Sequence, residues 1–180
     1  IILRSSEMEK ANTIADGSMA AVINGDKEQI EQIIDEIDGI LVIANYNTDS
    51  QIVISGGKKS IVSAIDILKT LSSRIKCIEL NVSGAFHSPL MKFAREVLSN
   101  AINVLYFNDA HVPIYQNINA ESTKDASTIK KNLILQLENP VQWSQIIDNM
   151  VKNMKICNFI ECGPGTILSG LNRRISRDIN

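Results

Sequence analysis

Apolar residues recur along the chain with two periods. Ile30, Ile33, Ile34 and Ile37 fall at i, i+3, i+4 and i+7, one stripe of a helix. Asp26 and Gln29 ahead of that stripe form a capping-box signature. Ile61, Ala64, Ile65 and Leu68 repeat the same spacing. Between and around these helices the pattern shortens. Residues 18–23 (SMAAVI), 41–44 and 51–55 read as buried strands, and the polar stretch 45–50 between the last two reads as a turn-rich connection. Gly56-Gly57 stops the third strand. Residues 76–82 alternate, with Cys77, Glu79 and Asn81 on one side and Ile78, Leu80 and Val82 on the other, as a half-buried strand does. The order over 17–83 is β-α-β-β-α-β, which predicts a ferredoxin-like unit of four antiparallel strands with both helices on one face.

The flanks follow another rhythm. Residues 1–11 read as the tail of a helix. Ser88-Pro89 is a helix start, followed by the stripe Leu90, Ala94, Val97, Leu98, Ala101 and Ile102. A strand is predicted over 112–118 and a helix over 129–137 that ends near Pro140. A second helix restarts at Asn139-Pro140 with the stripe Trp143, Ile146, Ile147, Met150 and Met154. Residues 157–162 read as a strand, Gly163-Pro164-Gly165 as a tight turn and 167–175 as a last helix. Alternating strands and helices predict parallel pairing in an α/β layer. The expected division is therefore a core from 1–16 and 84–180, with the ferredoxin-like subdomain 17–83 inserted.

Composition narrows the function. The 180 residues are 44% hydrophobic and 21% charged, with a net charge of −2, which suits a globular core and gives no basic footprint for nucleic acid. Aromatic residues are 4% of the chain, too sparse for a single-strand stacking platform. The apolar run 40–44 is far short of the roughly 20 residues a membrane span needs. Three cysteines (Cys77, Cys157 and Cys162) without a C-x-x-C, and two histidines without a partner at ligand spacing, indicate neither a disulfide framework nor a zinc site. A reducing compartment is the simplest reading. The opening Ile1-Ile2-Leu3-Arg4 has no initiator Met and reads as the inside of a helix, so the chain is expected to be a piece of a longer protein.

The segment VSGAFHSPLM (82–91) carries the candidate chemistry. It sets His87 in a loop between a strand and a helix start, where the partial positive charge of the helix end disfavours imidazolium and leaves a neutral base. Such a ring suits general-base work near neutral pH. On its own, a loop histidine is more commonly a ring that bonds a nearby carbonyl. Gly163-Pro164-Gly165 can cradle an anion on its N–H groups, but without a P-loop lysine a structural turn is the better reading. Cys162 beside it has nothing near in sequence to lower its pKa.

GAFHSPLM (84–91) resembles the histidine motif of malonyl-CoA:acyl carrier protein transacylases and of polyketide synthase acyltransferase domains. MAAV (19–22), QLENPVQW (136–143) and ECGPGTILSGL (161–171) resemble further motifs of that family, in the right order. The resemblance covers essentially the whole chain. It implies an α/β-hydrolase-like core with an inserted ferredoxin-like subdomain, and transfer of malonyl from malonyl-CoA to the phosphopantetheine thiol of acyl carrier protein. It implies a serine nucleophile in a G-H-S-x-G elbow. The chain contains no G-x-S-x-G, and RSSEM (4–8) resembles the segment just after that elbow, with Ser5 where the family has glycine. The fragment alone is then expected to be inactive.

The resemblance also implies roles. His87 is the base, and the backbone carbonyl of Gln136 orients its ring. Arg4 pairs with the free malonyl carboxylate, a bidentate grip that lysine lacks; without the resemblance it reads as an exposed terminal arginine. Phe86 crowds an α-methyl branch, or simply packs the core. Asn47 and Gln51 match an N-x-x-x-Q segment lining the cleft, or are turn residues. No cofactor and no metal is implied. The partners are malonyl-CoA and acyl carrier protein, with no nucleic acid and no membrane. Arg173, Arg174 and Arg177 are candidates for carrier docking, or a solvated face. A monomer in a bacterial cytoplasm or a plastid-like organelle is expected. The rival readings are a polyketide synthase acyltransferase domain and, further off, a non-catalytic ferredoxin-like module that binds a small molecule.

Overall fold

A computed structural model describes residues 1–177 and 179; Asp178 and Asn180, the far end of the predicted core, lie outside the described residues. The chain runs α1 (Ile2–Ile14), β1 (Gly17–Ile23), α2 (Lys27–Glu36), β2 (Leu41–Thr48), β3 (Gln51–Gly57), α3 (Lys58–Leu71) and β4 (Lys76–Glu79). A 3-10 turn (Pro89–Met91) then leads into α4 (Lys92–Asn103), β5 (Ile114–Tyr115), β6 (Ser122–Thr123), α5 (Ala126–Leu135), α6 (Trp143–Met154) and α7 (Ile167–Ile175).

The four strands β1–β4 form one sheet in the order β2-β3-β1-β4, every pair antiparallel. With α2 and α3 this is the ferredoxin-like arrangement that the element order predicts. The two-residue period sorts β1 cleanly. Ala20 and Val22 join Ile30, Ile33, Ile52, Ile54, Ile61 and Leu68 in the core under the helices. Met19 and Ala21 point the other way, to a smaller cluster with Ala44 and Val53. Ile30, Ile54 and Ile61 are at most 1% exposed, and each buried side chain of this size stabilises the fold by about 1.5–3 kcal/mol. Asp26 caps α2 by accepting from the Gln29 N–H at 3.1 Å.

The second face of the sheet looks toward a helical layer. Met8 and Ala11 of α1, Met91 of the 3-10 turn, Ala94, Leu98 and Ile102 along α4, and Leu137 form its core. Phe86 packs against both this cluster and the one on the sheet, so a single ring joins the two layers.

Several expected boundaries shift. β2 runs on through Tyr46 to Thr48, leaving a turn of only Asp49 and Ser50. Its polar residues reflect an edge strand rather than a turn. Register irregularities at Ile43/Asn45 and Tyr46/Thr48 absorb the mismatch, and the edge takes a parallel bridge from Asn45 to Val141. β4 ends at Glu79, and Cys77, not Ile78, faces the helix-side core; Ile78 is 52% exposed. The strand predicted over 112–118 shrinks to β5, which pairs antiparallel with β6. α5 starts earlier than predicted, because Asp125 accepts from the Thr128 N–H at 2.7 Å, and stops two residues earlier. α6 begins at Trp143 because the two residues before it are held outside a helix: Val141 bonds Ala44 and Tyr46 on β2, and the Gln142 N–H reaches the Asn117 carbonyl.

Residues 157–162 form no strand, and the parallel pairing predicted for this half reduces to the Asn45–Val141 bridge among the described residues. A strand exists only where a neighbour completes its ladder, and no described strand lies beside this segment. Among the described residues no helix is long and apolar enough to cross a membrane.

Candidate active site

The loop that carries His87 is braced at each residue. Ser88 is fully buried, and its hydroxyl donates to the Ala85 carbonyl at 2.6 Å. The same oxygen accepts from the Leu90 N–H at 3.3 Å, capping the 3-10 turn. Gly84 has no room for a side chain: a Cβ there would lie 1.6 Å from Asn12 Oδ1. Asn12 Nδ2 in turn donates to Ser83 Oγ at 3.1 Å. Ala85 presses on Gly17, where a Cβ would stand 2.6 Å from that of Ala85. Closed in this way, the loop holds His87 at φ 58°, a left-handed conformation that costs an L-residue about 1–2 kcal/mol.

The imidazole is oriented by backbone. His87 Nδ1 lies 2.9 Å from the Gln136 carbonyl and 3.1 Å from that of Asn139. Two carbonyl acceptors require the proton on Nδ1, which leaves the Nε2 lone pair as the base. The Gln136 amide nitrogen comes within 3.4 Å of Nδ1, but in this tautomer both are donors, and the amide instead donates to the Asn139 carbonyl at 3.1 Å. Gln136 therefore acts twice, through its own carbonyl and by bracing the loop that supplies the second one. Asn139 as an acceptor has no signature in sequence.

Burial is the main influence on the ring and pushes its pKa below the ordinary imidazole value. The two carbonyl bonds oppose that fall, and the positive charge of Arg4 adds to it. The direction is the one the sequence predicts, but the cause is desolvation rather than a helix end.

His87 opens on a cavity of about 520 Å³ lined also by Arg4, Met8, Glu9, Met19, Asn45, Leu80 and Phe86. Arg4 is half-buried, and burial lowers its pKa from the usual guanidinium value. Its side chain has no ion-pair or hydrogen-bond partner among the described residues. Such a group is poised for an anion, and its planar fork matches a carboxylate. A larger cavity, of about 600 Å³, lies at the β2–β3 turn with Lys27, Tyr46, Asp49 and Gln145 in its walls. It holds no histidine and no unpaired buried base, so size alone does not mark the chemistry.

Arg4, Phe86 and His87 thus converge, and Gln136 stands behind the ring. Asn47 and Gln51 do not line the cavity; Asn45, two residues earlier on β2, does. The β2 irregularities shift which side chains face the cleft. Gln51 instead accepts from Arg174 Nη1 at 3.3 Å, tying α7 to the sheet. The Gly163-Pro164-Gly165 turn is exposed, and the carboxylate just before it is held by α7 rather than by the turn. Glu161 accepts from the Leu168 and Ser169 N–H groups at 3.1 and 2.9 Å and from Ser169 Oγ at 2.7 Å, capping α7. Cys162 is exposed.

One imidazole nitrogen left free by the backbone carbonyls and one unpaired guanidinium share a cleft between a small antiparallel sheet and a helical layer. The chain belongs to the acyl transferase domain family, whose model matches residues 1–174. It is 38% identical over 179 residues to a malonyl CoA-acyl carrier protein transacylase of Staphylococcus aureus strain COL, covering 98% of this chain and 58% of that protein. It is 37% identical to the protein of that name from Bacillus subtilis, with 97% and 55% covered. The crystal structure of the malonyl-CoA:acyl carrier protein transacylase of Xanthomonas oryzae superposes with a TM-score of 0.92 at 32% identity, over 99% of this chain and 57% of that one. A malonyl-transacylase in complex with a type II polyketide acyl-carrier protein superposes at 0.91 and 29% identity, over 98% and 57%. The chain therefore spans somewhat over half the length of these relatives.

Proposed function

We propose that this chain supplies the base and the substrate anchor of a malonyl-CoA:acyl carrier protein transacylase of fatty acid synthesis. The nucleophilic serine comes from residues preceding Ile1 in the whole protein. The serine Oγ attacks the malonyl thioester carbon while His87 Nε2 takes its proton. When the C–S bond breaks, the imidazolium returns that proton to the leaving CoA thiolate, leaving a malonyl-serine ester. The carrier's phosphopantetheine thiol then repeats the exchange in reverse, with His87 first as base and then as acid. The Gln136 carbonyl fixes the tautomer but, being neutral, stabilises imidazolium less than a carboxylate does.

Arg4 grips the free carboxylate, and Phe86 narrows the space beside the α-carbon. The transfer draws on no cofactor beyond its two substrates. Asn47 and Gln51, which do not line the cavity, are given no contact with the substrate on this reading. Residues 17–83 form the inserted subdomain and 1–16 with 84–180 the core. The bacterial relatives support a cytoplasmic setting, and we take the protein to be a monomer with Arg173, Arg174 and Arg177 toward the carrier. The observation that carries this reading is the unpaired Arg4 guanidinium in the same cavity as a ring whose Nδ1 is held by Gln136. The superposition on a polyketide carrier's transacylase favours a second reading, the same chemistry with a polyketide carrier.

Mass spectrometry of the full-length protein after brief exposure to malonyl-CoA tests the proposal. A malonyl adduct on a serine upstream of Arg4 is expected, and His87→Ala slows its formation at least about 100-fold. No adduct in the intact protein refutes the reading. Competing fatty acid and polyketide carriers for the loaded enzyme separates the two forms of it.

A further inference from the structure

The acceptors of His87 belong to residues 136–139, a short segment after α5. Its ends are held locally: Asn139 Nδ2 donates to the Leu135 carbonyl at 2.7 Å, Gln136 Nε2 to the Asn139 carbonyl, and Val141 bonds to β2. Its middle residue, Glu138, reaches across to Arg95 in the first turn of α4, the Nε of the guanidinium meeting Oε2 of the carboxylate. The side chains are only 25% and 20% exposed, so water screens this pair less than a surface one. The other ion pairs among the described residues join neighbours within four positions of each other. This one spans two segments, and they are the segment continuous with His87 and the segment that holds its ring.

We infer that Arg95 and Glu138 are positioning residues whose ion pair bolts the acceptor segment 136–139 to the helix that follows His87, and so keeps the imidazole in its Nδ1–H form with Nε2 free. Nothing in the sequence marks the pair, since the partners are far apart and neither faces the cavity. The effect on rate rests on the transfer reading above; the effect on the tautomer does not.

The test uses the full-length protein labelled with 15N-histidine, the His87 ring being assigned from the spectrum of His87→Gln. Wild type is expected to show a single neutral tautomer protonated at Nδ1. Glu138→Gln and Arg95→Met, which keep side-chain length, give a mixture of tautomers. They lower kcat for malonyl transfer roughly 10- to 100-fold, the scale of small misplacements of a catalytic group, with KM for malonyl-CoA nearly unchanged. The swap Arg95→Glu with Glu138→Arg restores both. Single variants that unfold at lower temperature yet keep the wild-type tautomer and kcat make the pair merely structural and overturn the inference, as does a folded swap that leaves the ring mixed. A wild-type protein with the expected tautomer but no malonyl transfer sinks the transfer reading alone, because the ring is read without substrate.

Discussion

His87 Nδ1 and the carbonyl oxygen of Gln136 meet at 2.9 Å across 49 positions of sequence. That contact keeps the proton on Nδ1 and leaves Nε2 basic, while burial, opposed by the two carbonyl bonds and aided by the Arg4 charge, lowers the ring's pKa. The ionisable side chains facing the ring from the cavity are Arg4 and Glu9, both on α1. His87 must be neutral to act as base, and its pKa lies below the ordinary imidazole value of about 6.5. The acid limb of kcat/KM for malonyl transfer is therefore expected below that pH. Arg4→Gln removes the opposing positive charge and moves the limb upward. A limb at or above the ordinary value in wild type contradicts the burial seen here.

The same group bears on stability with a definite sign. The unfolded chain binds the His87 proton more tightly than the native state, so protonation favours unfolding. Stability is expected to decline as pH falls through the ordinary imidazole value and on toward the native one. Denaturant unfolding between neutral and mildly acid pH measures it, and His87→Gln should flatten that part of the curve.

Arg4 offers a selectivity measurement. A charged, hydrogen-bonded pair of this kind contributes about 1.5–3 kcal/mol, or roughly 10- to 150-fold in preference for malonyl over acetyl. Arg4→Ala should lose most of that preference while leaving acetyl transfer comparatively unchanged. Arg4→Lys should recover only part, because an ammonium cannot match both carboxylate oxygens. Equal losses for both acyl groups would mean that Arg4 supports the fold rather than the substrate.

Gly84 and Asn12 are a packing pair. The Cβ added by Gly84→Ala collides with Asn12 Oδ1 and Cγ, at 1.6 and 2.0 Å, so the amide must swing away and give up Ser83. Overpacking of this kind costs about 1–3 kcal/mol. Asn12→Ala in the same chain should return much of the loss, a coupling that a double-mutant cycle in urea reads directly. Additive effects would show that Asn12 does not occupy the space Gly84 leaves.

Asp125 caps the helix that delivers Gln136. Thr128 and Ser127 donate to its carboxylate and hold its pKa down to about 2. A depressed carboxylate stabilises the native state above its unfolded pKa, near 3.9, and that contribution is lost as pH falls toward about 2. Titration of the Asp125 side chain by NMR should show a midpoint near that value, and Asp125→Ala should remove the acid dependence and fray the start of α5.

The ferredoxin-like unit was readable because its signals are local. A stripe such as Ile30, Ile33, Ile34 and Ile37, or the alternation through β1, buries the same face wherever the chain is placed. His87 is legible from its place in a loop before a helix start, Arg4 and Phe86 only through the motif resemblance, and the cavity brings all three together. The errors fell where a neighbour decides. Asn45 to Thr48 are polar enough for a turn, yet β3 pairs with them and makes a strand. Residues 157–162 carry a strand pattern, but no described partner completes the ladder.

Local order along the chain determined the helical stripes, the strand alternation of β1 and the capping of α2 by Asp26, since each depends on side chains a few positions apart. Tertiary structure alone decided that Asn45 rather than Asn47 lines the cleft, that Asn139 joins Gln136 behind the ring, and that Arg95 meets Glu138. Those contacts join positions distant in sequence, and pairwise contacts of that kind leave no periodicity in a single chain to read. They exist only once burial has brought α1, β2, α4 and the segment after α5 against one another.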